Sequence, residues 1–157
     1  MKKLTFILAF NFTLLTFPVG MDTHNLFSQP SITWQRTYDS PCHVEDYGYD
    51  ICPAPNGNFY VVGSTFCSTP FSHNILVFRI NQNGDTIWTR NIGTSGGQEA
   101  FAAVSSDDGG CVLTGLWGGQ AFTLKLNSVG DTSWVKFYGD SGIWSFDIKR
   151  TSDGGYI

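Results

Sequence analysis

One phrase is written into the chain three times: Trp34-Gln-Arg-Thr-Tyr38, Trp88-Thr-Arg-Asn-Ile92 and Trp134-Val-Lys-Phe-Tyr138. The tryptophans stand 54 and then 46 residues apart. Self-similarity at a period of roughly fifty residues restricts the fold severely, because each unit is then one supersecondary module that cannot bury its own faces and must stack on its neighbours.

Aligned on the tryptophans, the units agree elsewhere. Asn56-Gly57-Asn58-Phe59 falls on Asp108-Gly109-Gly110-Cys111 and on Asp153-Gly154-Gly155-Tyr156. Ahead of these turns, Tyr49 and Ile51 match Phe101 and Ala103, then Phe146 and Ile148. A second turn, Asn81-Gln82-Asn83-Gly84-Asp85-Thr86, returns as Asn127-Ser128-Val129-Gly130-Asp131-Thr132. Two turns per unit mean two hairpins. The pattern predicts strands near 47–53, 58–65, 74–81 and 86–92, with counterparts near 99–105, 110–117, 121–127 and 132–138. These segments are rich in β-branched and aromatic residues and are separated by turn signals about every 8–12 residues, which argues for all-β structure. The Asn-Gly and Asp-Gly pairs supply the positive φ angles that tight hairpins need.

Four antiparallel strands per unit of this length is the pattern of a β-propeller blade. The expected fold class is therefore all-β, built of propeller-like four-stranded blades and incomplete at about two and a half repeats. A solenoid is the competing architecture, but its coils usually need only about 20–30 residues per turn.

The run Lys125-x-Asn127-x-x-Gly130-Asp131-x-x-Trp134-x-Lys136-x-Tyr138-Gly139, followed by Asp153-Gly-Gly-Tyr-Ile157, resembles the propeller-like repeats of large bacterial secreted proteins, many of which end in a type IX secretion sorting domain. The likeness covers residues 34–157. It rests on turn and core positions, so it implies a repeat class and, by analogy, an export route, while saying little about activity.

The first thirty residues differ in kind. Lys2 and Lys3 precede an uncharged apolar stretch from Leu4 to Phe17, then Pro18, Val19 and Gly20, the layout of a secretory signal peptide. Asp22 and His24 stop the stretch short of the roughly twenty apolar residues a membrane anchor requires. The expected organisation is a signal peptide and leader over 1–28, cleaved after Gly20 or Ser28, and a partial repeat domain over 29–157 with repeats at 34–87, 88–133 and 134–157. Cleavage would leave no membrane span, and the location would be secreted or cell-surface. The net charge is −4, and no run of Lys and Arg exists to displace counterions from a phosphate backbone, so nucleic acid is not expected as a partner.

Rings of this kind take four to eight blades. Tyr156-Ile157 aligns with only the first two residues of the strand that begins Cys111-Val112, and Trp34–Tyr38 is a fourth-type strand with no first three before it. The sequence thus reads as the N-terminal part of a longer product, with the remaining blades of that chain as partners.

Strand alternation sorts the loops into two ends. One end carries the tight turns at Asn56-Gly57, Asn83-Gly84, Asp108-Gly109 and Gly130-Asp131; the other carries the variable loops, including the extra residues that repeat one has over repeat two. Cys42 and Cys67 lie one in each of those enlarged loops, and repeat two has no cysteine at either place, so a disulfide is the economical expectation, with two free thiols as the alternative. Cys52 and Cys111 lie in or beside strands and read as small core residues. Because a rigid scaffold can vary its loops without disturbing its core, ligand contact is expected at the variable end, from some of His43, Glu45, Asp46, Phe66, Phe71, His73 and Trp117. No nucleophile elbow, phosphate loop or metal-ligand spacing occurs, so no catalytic residue, cofactor or metal is assigned. Two function classes remain. One is a non-enzymatic binding or scaffolding module with a glycan or protein ligand; the other is part of an extracellular hydrolase or lyase acting on polysaccharide or peptide, whose propeller funnel would gather carboxylates from several blades.

Overall fold

The structure, a computed structural model, describes residues 4–8 as backbone and residues 34–67 and 72–157 in full. The strands are β1 (Leu4–Leu8), β2 (Trp34–Tyr38), β3 (Glu45–Ala54), β4 (Asn58–Cys67), β5 (Ser72–Ile80), β6 (Thr86–Ile92), β7 (Gln98–Ser105), β8 (Cys111–Trp117), β9 (Gln120–Leu126) and β10 (Thr132–Tyr138). They form two antiparallel meanders, β3-β4-β5-β6 and β7-β8-β9-β10, together with the pair β1-β2. The fold is all-β with four strands per unit, and the described strands do not close into a ring. Most of the expected signal segment lies outside the described residues; its Leu4–Leu8 portion pairs antiparallel with β2, Leu4 opposite Tyr38 and Leu8 opposite Trp34.

The two sheets lie face to face, with β7 packed across β3, β4 and β5. Alternation along each strand sends side chains to two different cores. Tyr60, Val62, Ile75 and Val77 meet Ala100, Cys111, Leu113, Phe122 and Leu124 of the second sheet. Their neighbours Val61, Leu76, Phe78 and Ile80 instead face Tyr38 and Trp34. Burial on both faces explains why β4 is buried without interruption from Tyr60 to Thr65, where a one-sided strand would alternate. Cys52 and Cys111 are free, buried members of the central core, and loss of hydration pushes the Cys52 thiol up to about 12 and the Cys111 thiol higher still.

The first strand of each sheet carries a bulge. The register slips between Gly48 and Asp50 in β3, and between Ala100 and Ala102 in β7, leaving Tyr49 and Phe101 outside the ladder. Opposite each bulge stands a glycine, because a Cβ on Gly63 or Gly115 would lie 1.8 or 2.0 Å from the carbonyl oxygen of Tyr47 or Glu99. Asp50 ties the sheets beside its bulge, accepting from the Ile51 amide at 2.8 Å and from the Ala103 amide of β7 at 2.8 Å.

The repeated phrase is a latch between consecutive units. The Trp34 indole donates to the Gln82 carbonyl at 2.8 Å, and the Trp88 indole donates to Ser128, the equivalent carbonyl one unit later, at 3.3 Å. Two residues on, Arg36 pairs with Asp85 at 3.2 Å, while Arg90 donates to the carbonyls of Val129 at 2.7 Å and Gly130 at 3.1 Å and lies 3.8 Å from Asp131. Tyr38 completes the first latch by donating to the Gly84 carbonyl at 2.8 Å. The glycine of each Gly-Asp pair has two reasons to be there. Gly84 and Gly130 have φ of +80° and +87°, and a Cβ on them would sit 2.8 Å from the Trp34 ring or 3.1 Å from the Trp88 ring. In the first two copies of the phrase, the tryptophan, the arginine and the facing Gly-Asp pair all belong to a unit-to-unit contact.

Residues 143–157 continue the series on the far face of the second sheet. Ile148 packs with Ala102 and Val112, flanked by Trp134 and Tyr156. Lys149 and Ile157 exchange backbone hydrogen bonds at 2.7 and 2.9 Å across the Asp153-Gly154 turn.

Candidate functional site

The variable-loop end of the first sheet is stapled. Cys42 and Cys67 form the expected disulfide, with Cα atoms 5.2 Å apart, and join the loop before β3 to the end of β4. The Asn91 side-chain amide donates to both sulfurs, at 3.0 and 3.2 Å, and Asn74 donates to Cys67 at 3.5 Å. Ser40 organises the adjoining turn. Its amide donates to Asp46 at 2.7 Å, its hydroxyl shares a hydrogen bond with Thr65 at 2.7 Å, and its carbonyl accepts from the His43 amide at 3.1 Å.

Three of the expected ligand residues come together. Glu45 of β3 is directly opposite Phe66 of β4, which is directly opposite His73 of β5, so the three side chains form one row across the sheet. The Phe66 and His73 rings meet edge to face at 5.3 Å, and Tyr47 lies 6.3 Å from His73. The Tyr47 hydroxyl donates to Glu45 at 2.8 Å, and that bond to the carboxylate raises the phenol pKa above its ordinary value. His73 Nδ1 is buried and has no protein partner.

The other expected residues are elsewhere. Asp46 is on the opposite face from Glu45 and is buried, holding the Ser40 amide through one oxygen while the other has no partner. His43 sits in the turn at φ +53°, exposed and 3.1 Å from Asp39. Trp117 belongs to the second sheet, half-buried, with its ring edge-on to Phe122 at 5.7 Å and to Phe137 at 5.8 Å, so it packs against the core and is not a free stacking platform. Phe71 lies outside the described residues.

A second feature went unassigned at the level of sequence. The bulge residues Tyr49 and Phe101 and the equivalent Phe146 form an aromatic ladder along successive first strands, with rings 5.2 Å apart at each step, and Trp144 lies beside Phe146 at 5.9 Å. The Tyr49 hydroxyl donates to Glu99 at 3.1 Å. The alignment already placed these three rings at one position; the missing signal was the bulge that takes Tyr49 and Phe101 out of the ladder.

Asp50 of β3 and its third-unit equivalent Asp147 are committed to structure. Asp50 serves two amides, and Asp147, its equivalent in the third unit, accepts from the Ile148 amide at 2.8 Å and pairs with Lys149, which lowers its pKa. At the tight-turn end, Asp108 is held down to about 2 by the Lys125 ammonium at 2.8 Å and then by the Ser106 hydroxyl. Among the described residues no three His, Cys, Asp or Glu side chains converge to hold a metal, and no helix is long and apolar enough to cross a membrane.

The chain matches no protein-family model and no curated protein.

Proposed function

We propose that this chain belongs to a secreted or cell-surface β-propeller-like repeat protein that binds or scaffolds, with its ligand contact at the Glu45–Phe66–His73 row. One observation carries the reading. Counted from the matched glycines Gly63 and Gly115, the positions of Glu45, Phe66 and His73 fall in unit two on Gly97, Gly118 and Gly119, which lie just beyond the last ladder pairs Gln98–Trp117 and Trp117–Gln120, at the strand ends and hairpin turn, and carry no side chain. Chemistry that the repeat does not require has been placed on an otherwise copied frame, beside a disulfide that holds it still. A carboxylate, an aromatic edge and an imidazole in one row suit a ligand with both apolar faces and hydroxyl or amide groups, a glycan or a peptide.

The disulfide supports export, because such bonds persist in oxidising compartments. Cleavage of a signal peptide after Gly20 or Ser28 would also remove Leu4–Leu8 and open the outer edge of β2 for pairing with another strand. The hydrolase or lyase reading draws less support, since Asp50 of β3 and its third-unit equivalent Asp147 are consumed by backbone amides and Lys149.

The test is a panel of glycans and peptides screened against the disulfide-intact protein and its Glu45→Gln, Phe66→Ala and His73→Ala variants. Binding that falls in all three variants supports the proposal. Binding that ignores all three and responds instead to Asn83 or Asp108 places the site at the tight-turn end, and turnover of a panel member establishes the hydrolytic reading.

A further inference from the structure

The latch has three donors and two acceptors. Trp34-x-Arg36-x-Tyr38 engages the Gln82–Asp85 turn, and Trp88-x-Arg90 engages the Ser128–Asp131 turn. Trp134-x-Lys136-x-Tyr138 has the same composition and spacing, yet among the described residues no carbonyl accepts from the Trp134 indole and no carboxylate pairs with Lys136. Exposure records the difference, since Tyr38 under its partner turn is 5% exposed and Tyr138 is 48% exposed. Both Asn-x-x-Gly-Asp turns of the chain are already occupied by its own earlier strands.

The open latch borders a groove of about 510 Å³ between the second sheet and residues 143–157, with Trp134, Lys136 and Tyr138 on one wall and Trp144, Ile148 and Tyr156 on the other. Tyr156 and Ile157 sit at the positions of Cys111 and Val112, the start of a second strand, and in unit two that strand is followed in the sheet by a third-and-fourth-strand hairpin.

We propose that this groove is a seat for a β-hairpin whose turn reads Asn-x-x-Gly-Asp, supplied by another unit of the same repeat class. The chemistry is dictated by the two filled seats. The occupant needs a carbonyl one residue after the Asn to accept from the Trp134 indole, a glycine at positive φ so that nothing collides with that ring, and an aspartate to meet Lys136. The inference rests on the scaffold half of the proposed function and is independent of the Glu45–Phe66–His73 row, so failure of ligand binding there leaves it standing.

A cyclised peptide of residues 120–138, which carries the Asn127–Asp131 turn, is the probe, and the indole N–H signals of the 15N-labelled full chain are the readout. The hairpin should shift the Trp134 signal in a saturable manner while Trp34 and Trp88 hold. Lys136→Glu should weaken binding roughly two- to fivefold, the scale of an exposed ion pair, with recovery when the hairpin carries Asp131→Lys. A hairpin carrying Gly130→Ala should bind roughly tenfold more weakly or not at all, from strain at positive φ and contact with the ring. A Trp134 signal that ignores the hairpin overturns the proposal, as does one that moves only with the concentration of the chain itself, which would assign the face to a second copy. Equal binding by the Gly130→Ala hairpin would also refute it, because the latch geometry would then not be what is recognised.

Discussion

Replacing Gly84 with alanine separates the latch from ordinary turn chemistry. The substitution imposes two penalties. Alanine at φ +80° costs about 1–2 kcal/mol in the left-handed region. Its Cβ would then stand 2.8 Å from Cε3 and 2.9 Å from Cζ3 of Trp34, an overpacking that typically costs about 1–3 kcal/mol, so the total is about 2–5 kcal/mol. Gly97 is the control. It has φ +75° with no atom within 4 Å of its would-be Cβ, so Gly97→Ala reports the backbone penalty alone, about 1–2 kcal/mol. Urea unfolding followed by both tryptophan fluorescence and far-ultraviolet circular dichroism gives the stabilities, provided the two transitions coincide. In a Trp34→Ala background the two ring contacts disappear and only Arg36 Cγ, at 2.9 Å on a flexible side chain, is left to move aside, so Gly84→Ala should fall back towards the Gly97 value, a coupling of about 1–3 kcal/mol. If Gly84→Ala costs no more than Gly97→Ala, or costs the same with and without Trp34, then the glycine serves the turn alone and the latch account of the repeat fails.

Other outcomes follow from the same geometry. Reducing Cys42–Cys67, which lie 25 residues apart, should lower stability by about 3.5 kcal/mol on the chain-entropy relation, read as a fall in the urea midpoint that a Cys42→Ser/Cys67→Ser variant reproduces without reductant. Asp108 has a folded-state pKa of about 2 against an ordinary 3.8, so the stability it contributes is present above about pH 4 and is lost as pH falls towards 2; Lys125→Met should raise that pKa and flatten this part of the pH profile, measured by the carboxyl 13C shift and by acid unfolding. Trp117→Ala should cost about 2–3 kcal/mol, less than the 3–5 of a fully buried ring, because Trp117 packs on Phe122 and Phe137; ligand affinity that falls without any loss of stability would show instead that its exposed edge makes the contact.

The four strands per unit, their pairing order and the disulfide were legible because each depends on local, periodic signals: turn glycines, runs of β-branched residues, and one cysteine pair confined to the enlarged loops of unit one; β1, inside the apolar N-terminal stretch, carries no such signal. The ends of the strands were less legible, and this decides the site. The pattern starts the first strand near 47 and ends the second near 65, which leaves Glu45, Asp46 and Phe66 as loop residues. The ladder in fact runs from Glu45 to Cys67, so strict alternation applies to them and separates Asp46 from the Glu45–Phe66–His73 row. The aromatic ladder was hidden for a related reason. A single extra residue at each bulge turns Tyr49 and Phe101 out of the core, and the phase shift it puts into the alternation is too short-lived to read within strands of 10 and 8 residues. The packing of Trp117 was illegible because it has no counterpart in unit one, where Thr65 stands, and a unique aromatic near a loop gives no hint of whether Phe122 and Phe137 lie beside it.

The repeated Trp-x-Arg/Lys phrase and the repeated Gly-Asp turn are two halves of one inter-unit contact, filled twice and, among the described residues, open once. Hydrogen exchange at the indole N–H groups of the full chain tests it directly. Trp34 and Trp88, which donate to Gln82 and Ser128, should be protected by a large factor, whereas Trp134 should exchange close to the rate of a free indole. Equal exchange at all three tryptophans, whether uniformly fast or uniformly slow, would contradict the account.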